Sequence, residues 1–235
     1  MAVTTIDWDD GSGDKIYISA DAFGGNQNVL VSSDANAGLA RSKDITFRAG
    51  DVVRVLTVNQ AAGVVEHTLS VNLSSYIPKS TDGSWYNVSN LSNAYSGVSG
   101  SGSSSYCGIT LERGAGAETY IYFLFDTSGI PDNATIKSVE CKAKVSISNT
   151  TAANVASRGA KLCSGTTEKT ASVSVTTTAA IRTFTMGTWT KQELSDVRLK
   201  MYATRGESNT TSNYALRVYG ATLTIVYTVP ANEND

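Results

Sequence analysis

The stretch SVECKAKVSIS, Ser138–Ser148, decides the fold class of this 235-residue chain. Small or aliphatic side chains occupy every second position, and charged or hydroxyl side chains occupy the positions between them. The apolar set is Val139, Cys141, Ala143, Val145 and Ile147. A period of two is typical of a β-strand with one buried and one solvated face. We therefore predict an antiparallel strand here.

The same alternation recurs along the chain and predicts further strands. These are Asp51–Gln60, His67–Leu73, Val197–Ala203 and Ala221–Val229. Tyr120–Asp126 (YIYFLFD) is apolar on both faces and predicts a central strand. One short helix is expected after Thr190, because Glu193 follows it at the spacing of a capping box. Together these patterns predict an all-β protein.

Composition agrees with short strands joined by many turns. The chain has 28 Thr, 29 Ser and 20 Gly but only 3 Pro. Charged residues make up 17%, below the roughly 25% of ordinary globular domains. With 41% hydrophobic residues the chain can still bury a core.

Charge and residue counts exclude several functional classes. The net charge of −2 gives no attraction to nucleic acid or to anionic membranes, and no apolar run approaches the ~20 residues of a membrane helix. Three cysteines without a CxxC motif indicate reduced thiols, and a single histidine speaks against His-dependent catalysis. We expect no enzymatic activity, no cofactor and no metal site.

Two domains are predicted, over residues 1–63 and 64–235. Ala61-Ala-Gly63 follows a strong strand pattern and looks like a boundary. Net charge also changes nearby, because residues 1–79 carry 6 basic and 9 acidic side chains and the remainder carries 13 and 12.

Asn28–Gln60 (NVLVSSDANAGLARSKDITFRAGDVVRVLTVNQ) resembles the second half of BACON-like immunoglobulin-type domains. The matching residues are Asn36, Arg41, Ser42, Ile45, Phe47, Val55, Thr57, Val58 and Gln60. The first half departs from that family, because it is short and lacks the usual Trp-containing strand pair. The resemblance implies an Ig-like β-sandwich for the N-terminal domain. Arg41 is expected to reach loop carbonyls.

Tyr120–Val145 resembles a stretch of DNRLRE-type jelly rolls, which also occurs in phage virion proteins and some cell-wall proteins. The matching residues are Phe123, Phe125, Asp126, Ser128, Ile130, Pro131, Ala134, Ile136, Ser138 and Val139. The resemblance implies a jelly-roll-like β-sandwich after the Ig-like domain. Asp126 and Ser128 are expected to bond turn amides, and Ile136 to re-enter the core.

The two resemblances together predict a structural component of a bacteriophage virion. A capsid-decorating (auxiliary capsid) or head-fibre protein is expected, docking on the major capsid protein or other virion proteins as a homo-oligomer or in many copies. Met1–Asp10 has neither a basic nor an apolar stretch. Synthesis in the host bacterial cytoplasm without a signal peptide is therefore expected. The alternative is a carbohydrate-binding or host-adhesion module of a phage tail or cell-surface protein.

Candidate chemical sites are few. Asp7–Asp14 (DWDDGSGD) fails the EF-hand pattern, because its sixth position is Ser12 and its twelfth is Ile18. A looser oxygen cage and an acidic surface turn both remain open. Glu66-His67 would need a serine brought near to form a triad. Glu112, Glu118 and Asp126 are the carboxylates considered for a glycosidase-type pair.

Four aromatic residues bracket the Ser/Gly-rich stretch Ser96–Ser105. They are Trp85, Tyr86, Tyr95 and Tyr106. Such rings can stack on sugars or contact a partner, or they can pack in the core. Cys107 and Cys141 fall on predicted buried faces, whereas Cys163 is left open.

Overall fold

A computed structural model describes residues 2–20, 30–49, 51–78, 88–95, 97–98, 105–111, 116–151, 154–185, 188–206 and 214–231. Nearly all regular structure in these ranges is antiparallel β-sheet, so the predicted all-β sandwich class is confirmed. The chain forms two compact units, Met1–Val65 with Val229–Asp235 and Glu66–Thr228.

The first unit contains a three-stranded sheet and a β-hairpin. Its strands are β1 (Ala2–Asp7), β2 (Lys15–Ala20), β3 (Leu30–Ser33), β4 (Arg41–Ala49) and β5 (Val52–Gln60). The sheet order is β1-β2-β3, and β4 pairs with β5. Both sheets contribute to one small core, which contains Trp8, Ile16, Ile18 and Ile45.

The second unit is built on ten strands. They are β6 (Val64–Pro78), β7 (Val88–Ser89), β8 (Cys107–Thr110), β9 (Glu118–Phe125), β10 (Thr135–Ile147), β11 (Val155–Ser164), β12 (Thr167–Glu168), β13 (Ala180–Thr185), β14 (Val197–Arg205) and β15 (Ala215–Pro230). A 3-10 turn spans Leu91–Asn93, and helix α1 spans Lys191–Leu194.

Strand order places the apolar segments in the interior of the sheet. The order is β12-β11-β14-β9-β6-β15-β10-β13, with β8 also paired to β15 and β7 paired to β8. The predicted central strand, β9, lies between β14 and β6. Its Phe123 is fully buried.

The deciding stretch Ser138–Ser148 forms most of β10. All five of its predicted core side chains are buried. Ser146, which the alternation places on the solvated face, is also buried, and its hydroxyl lies 3.2 Å from the hydroxyl of Tyr219, which gives it a hydrogen-bond partner there. A register shift between Lys144 and Val145 in the pairing with β15 accompanies this departure.

Two local predictions are confirmed. Glu193 N–H donates to Thr190 Oγ1 at 3.2 Å and Thr190 N–H donates to Glu193 Oε2 at 3.0 Å, which completes the capping box of α1. After β9, Ser128 N–H donates to Asp126 Oδ1 at 3.0 Å. Ile136 is only half-buried, and the residue of this turn that enters the core is Ile130.

Candidate functional site

The acidic loop after β1 is neutralised by basic side chains. Each of its four aspartates contacts a lysine or an arginine. The pairs are Asp7 with Lys15, Asp9 with Lys43, Asp10 with Arg41 and Asp14 with Arg41. A calcium loop instead turns its carboxylates toward one shared point. The arrangement therefore favours the acidic surface turn over the oxygen cage.

Arg41 holds this loop against the core of the first unit. Its Nη1 lies 2.6 Å from Asp10 Oδ2 and its Nη2 lies 2.9 Å from Asp14 Oδ2. Its Nε donates to Gln60 Oε1 at 2.8 Å, and the guanidinium carbon lies 4.4 Å from the Trp8 ring centroid. The side chain is only 8% exposed. Arg41 thus joins the acidic loop, strand β5 and the core through one planar group.

The ion pairs also keep the loop charged. The Ser12 hydroxyl and the Arg41 guanidinium donate to Asp10 and hold its pKa far below the ordinary range. The hydrogen bond from Lys15 likewise lowers the pKa of Asp7. Among the described residues, no group of three or more His, Cys, Asp or Glu side chains is placed to hold a metal ion.

A groove of about 670 Å³ lies beside the acidic loop, lined by residues 10–12, 14 and 35–41. Asn36 organises its wall: its Nδ2 donates to the carbonyls of Leu39 and Ala61, and its Oδ1 accepts from Gly38 N–H at 2.9 Å. Gln60 Nε2 donates to the Asp34 carbonyl at 2.7 Å. These polar side chains are therefore engaged in holding the loops together.

His67 is not part of a catalytic triad in this arrangement. Its ring stacks on Tyr227, with centroids 5.5 Å apart and an interplanar angle of 21°. Glu66 occupies the next position of β6 and is exposed, so its side chain points to the opposite face of the strand. The neighbouring acid therefore cannot orient the imidazole as a triad requires.

Two of the three candidate glycosidase carboxylates, Glu118 and Asp126, do not converge. Glu118 begins β9 and Asp126 follows its last residue, which separates them by roughly 26 Å of extended strand. A glycosidase pair is about 5–9.5 Å apart. The hydroxyl and backbone N–H of Ser128 donate to Asp126 and lower its pKa. Glu112 lies outside the described residues.

Two of the four candidate aromatic residues, Trp85 and Tyr86, also lie outside the described residues. Tyr106 is half-buried, with its ring 5.4 Å from that of Tyr219 and 4.8 Å from the Arg217 guanidinium carbon. Tyr95 is half-buried, and this burial raises its pKa. These contacts favour packing for Tyr106, and a glycan or partner contact at any of the four stays a prediction.

All three cysteines are buried free thiols. The burial predicted for Cys107 and Cys141 is confirmed, and Cys163 behaves in the same way. Burial raises the pKa of Cys107 to about 12 and that of Cys163 to about 11, and it also raises the pKa of Cys141. Thiolate chemistry is therefore suppressed at each position.

Sequence reasoning missed an outer surface of β9, β11 and β14 that we call the tyrosine–lysine face. It consists of Tyr120, Tyr122, Tyr202, Lys161 and Lys200. Lys200 Nζ lies 5.5 Å from the ring centroids of both Tyr120 and Tyr202, and Lys161 Nζ lies 5.4 Å from that of Tyr202. The sequence does show that Tyr and Lys alternate with buried residues in these strands. It does not show the cross-strand register that brings these side chains together.

The hairpin of β4 and β5 exposes an unusual amount of aliphatic surface. Ile45 and Phe47 of β4 belong to the core of the first unit. Toward the turn, however, Val52 is 53% exposed and Val55 is 59% exposed. In the hairpin Leu56 pairs with Ile45, and Val55 pairs with Thr46. The side chains of Leu56 and Val55 therefore point to opposite faces of the hairpin. The end of the hairpin therefore presents apolar side chains on both faces.

Comparison of the chain with protein-family models, with curated proteins and with solved structures found no match. Within the described ranges, no helix is long and apolar enough to cross a bilayer.

Proposed function

We propose that this protein is a non-enzymatic structural component of a bacteriophage virion, either a capsid-decorating or a head-fibre protein. The observation that carries the proposal is the exposed apolar end of the β4–β5 hairpin. Contiguous apolar surface on a charge-poor protein marks a place where another protein docks. The virion is the setting that the two sequence resemblances suggest.

The state of the ionisable side chains supports a structural role. The acidic loop is ion-paired, His67 is stacked on Tyr227, and the thiols are buried. Catalysis needs groups whose proton or electron pair is available to a substrate. Among the described residues, the carboxylates of the acidic loop and His67 are instead engaged in contacts within the fold, and the thiols are buried.

The outer face of β6, β15, β10 and β13 supports packing of many copies side by side. Its cross-strand rows are rich in hydroxyl and amide groups: Asn72, Thr222, Lys142 and Thr183 form one, and Ser70, Thr224, Glu140 and Thr185 form the next. Each row carries one charge, and the two charges pair between Lys142 and Glu140 at 2.7 Å. Such a neutral face avoids repulsion between neighbouring copies, and many weak contacts combine into high occupancy.

The proposal is tested by quantitative mass spectrometry of purified particles of the phage that encodes the chain. We expect a fixed copy number per particle. Val55→Asp, on the exposed hairpin, should strongly reduce incorporation, whereas Leu30→Asp, at an exposed position of β3, should not. Absence of the wild-type protein from purified particles would overturn the proposal.

The tyrosine–lysine face favours a second candidate function, carbohydrate binding. Half-buried Tyr120 and Tyr202 offer ring surfaces, and Lys161, Lys200 and Ser172 supply polar groups beside them. A glycan array tests this candidate. Binding should fall at least about tenfold in Tyr202→Ala and be retained in Tyr76→Ala, because Tyr76 pairs with inward Phe123 and lies on the opposite face. No binding to any glycan would retire it.

A further inference from the structure

We infer that a pocket beside helix α1 binds a primary alkylammonium group, carried either by a free aliphatic amine or by a lysine side chain of another protein. The pocket lies between the turn that follows β9 and helix α1, and we call it the turn–helix pocket. Its volume is about 310 Å³, which is enough for one side chain or one small molecule. The inference goes beyond the proposed function and does not rest on it.

The floor of the turn–helix pocket is apolar. Phe125, Ile130 and Leu194 line it, and all three are buried. Apolar side chains of this kind cover the methylene groups of a ligand and remove them from water. The floor therefore suits the hydrocarbon chain of an alkylamine and gives no partner to a second charged group.

Two hydroxyl groups of the pocket have already donated their hydrogens to the protein. Thr127 Oγ1 donates to the Leu194 carbonyl at 2.9 Å, and Ser195 Oγ donates to the Gln192 carbonyl at 2.8 Å. A hydroxyl has one hydrogen and two lone pairs, so each oxygen keeps only the capacity to accept. These groups therefore favour a ligand that donates hydrogen bonds.

Asp126 supplies a negative charge to the same pocket. Its carboxylate accepts from the backbone N–H of Ser128 at 3.0 Å and from the Ser128 hydroxyl, and these bonds lower its pKa. An ionised carboxylate offers about four lone-pair positions, so about two remain for a ligand. Within the described ranges, Asp126 forms no ion pair. An ammonium group has three N–H donors and no acceptor, which is the complement of this set.

Lys191, which also lines the pocket, does not reverse this preference. Its ammonium group is paired with Asp132, which balances its positive charge. Asp126, Asp132 and Lys191 together therefore carry one net negative charge. An anionic ligand would have to displace Asp132 and would lie close to Asp126. A cationic ligand meets a carboxylate that has no cation beside it.

Titration of the purified full chain with n-butylamine tests the site, because this amine has the four-carbon chain and the ammonium group of a lysine side chain. Backbone amide chemical shifts in NMR spectra at neutral pH should change saturably at Ser128 and Leu194. Tetramethylammonium has the same charge but no N–H donor, and butyrate has the opposite charge. Both should bind at least about fivefold more weakly than n-butylamine. No saturable change with n-butylamine, or equal binding of either control ion, would overturn the inference.

Three variants locate the site. Asp126→Asn keeps an oxygen that accepts from Ser128 but removes the charge, and it should weaken n-butylamine binding at least about fivefold. Glu140→Gln removes a carboxylate of β10 that pairs with Lys142, and it should leave the dissociation constant unchanged. Lys191→Gln removes a like charge from the pocket and should strengthen binding. The remaining amide signals report whether each variant is folded.

Two results with these variants would contradict the site. Unchanged binding in folded Asp126→Asn would show that its carboxylate is not the partner of the ammonium group. Weaker binding in Lys191→Gln would show that the pocket does not select for positive charge. Either result would overturn the inference, and the second holds even if Asp126→Asn fails to fold.

The copy number of Asp126→Asn in purified particles distinguishes the two sources of the ammonium group. A severalfold fall assigns the group to a lysine of a neighbouring virion protein, whereas the wild-type copy number assigns it to a free amine. Absence of the wild-type protein from particles would overturn the proposed function. It would leave amine binding intact, because that binding is measured on the purified chain.

Discussion

Arg41 shows how one side chain can determine the character of a whole loop. The aspartates between β1 and β2 would repel one another if left alone. Arg41 contacts two of them, and the flanking Lys15 and Lys43 contact the other two. The planar guanidinium also lies over Trp8, which a lysine ammonium could not match in geometry. Removing the Arg41 side chain should therefore weaken both the attachment of the loop and the packing of the core.

We expect Arg41→Ala to lower the free energy of unfolding by about 2–3 kcal/mol, because it leaves part-buried carboxylates without their partner. Lys43→Ala is the matched control. Its partner Asp9 is 70% exposed, so the loss should stay under about 1 kcal/mol. Urea unfolding monitored by tryptophan fluorescence measures both. Equal losses in the two variants would contradict the role assigned to Arg41.

Asp10 should make the fold sensitive to acid. Its ordinary carboxyl pKa is 3.8, and hydrogen bonds from Ser12 and Arg41 lower the pKa in the folded state. The ionised group therefore contributes stability above about pH 4, and this contribution is lost as pH falls toward the folded pKa. Between about pH 4 and pH 2 the urea midpoint should fall less steeply in Asp10→Asn than in wild type. Parallel curves would contradict this linkage.

The native thiols should be inert. Burial raises the pKa of Cys107 to about 12 and of Cys163 to about 11, so almost no thiolate exists at pH 8. A chromogenic disulfide reagent should report no fast-reacting thiol in the folded protein and three in guanidinium chloride. A fast-reacting thiol in the folded chain would show that one of these sites is open.

At this scale the sequence could identify the acidic loop but could not say what neutralises it. Arg41 and Lys43 lie about thirty residues away from the loop, and the fold brings them to it. Nor could it tell that Ser146 would be buried, because its hydroxyl partner on Tyr219 is seventy-three residues distant. The sequence shows the residue types, whereas the contacts that each residue makes depend on the tertiary structure.

Among the elements, the segment between β5 and β6 depends on a close backbone approach. A Cβ at Gly63 would lie 2.5 Å from the Asn36 carbonyl oxygen and 2.7 Å from Ala37 backbone atoms. The loop cannot yield as a flexible side chain would. Gly63 also donates to the Gly38 carbonyl and accepts from Ala231 N–H, which fixes its position.

Gly63→Ala should therefore cost at least about 2 kcal/mol of unfolding free energy through a forced backbone shift. Gly38→Ala, in the same region, adds a Cβ at an ordinary 3.6 Å from Asn36 Oδ1 and should cost less than about 1 kcal/mol. Thermal unfolding of the two variants provides the comparison. Equal stability of Gly63→Ala and Gly38→Ala would contradict the close approach of the Gly63 backbone to the Asn36–Ala37 backbone.

The elements themselves were largely predictable. Alternation located β5, β10, β14 and β15, a run that is apolar on both faces located β9, and the capping box located α1, because all three are local properties of the chain. The order of the strands in the sheet is not a local property. β15 lies between β6 and β10, and this order determines which side chains share a face. The tyrosine–lysine face and the exposure of β5 follow from such neighbours, which is why the sequence did not reveal them.

At the scale of the whole molecule, the low charge and the abundant hydroxyl groups bear on how identical copies pack together. The net charge is only −2, so identical copies repel one another weakly. Strand β5 carries four exposed aliphatic side chains in a row of five residues, while the β6–β15–β10–β13 face is hydroxyl-rich. A protein with one exposed apolar hairpin and a neutral face elsewhere matches the proposed multi-copy role.

The central position of β15 has a consequence for how the chain matures. Residues 215–230 hydrogen-bond to strands that begin as early as Val64, so the larger sheet cannot close until this late segment has left the ribosome. Until then the edges of β6 and β10 that pair with β15 stay open, and unpaired strand edges are prone to aggregation. Nascent chains arrested before residue 215 should be protease-sensitive in the larger unit, and chains arrested well beyond residue 230 should be resistant.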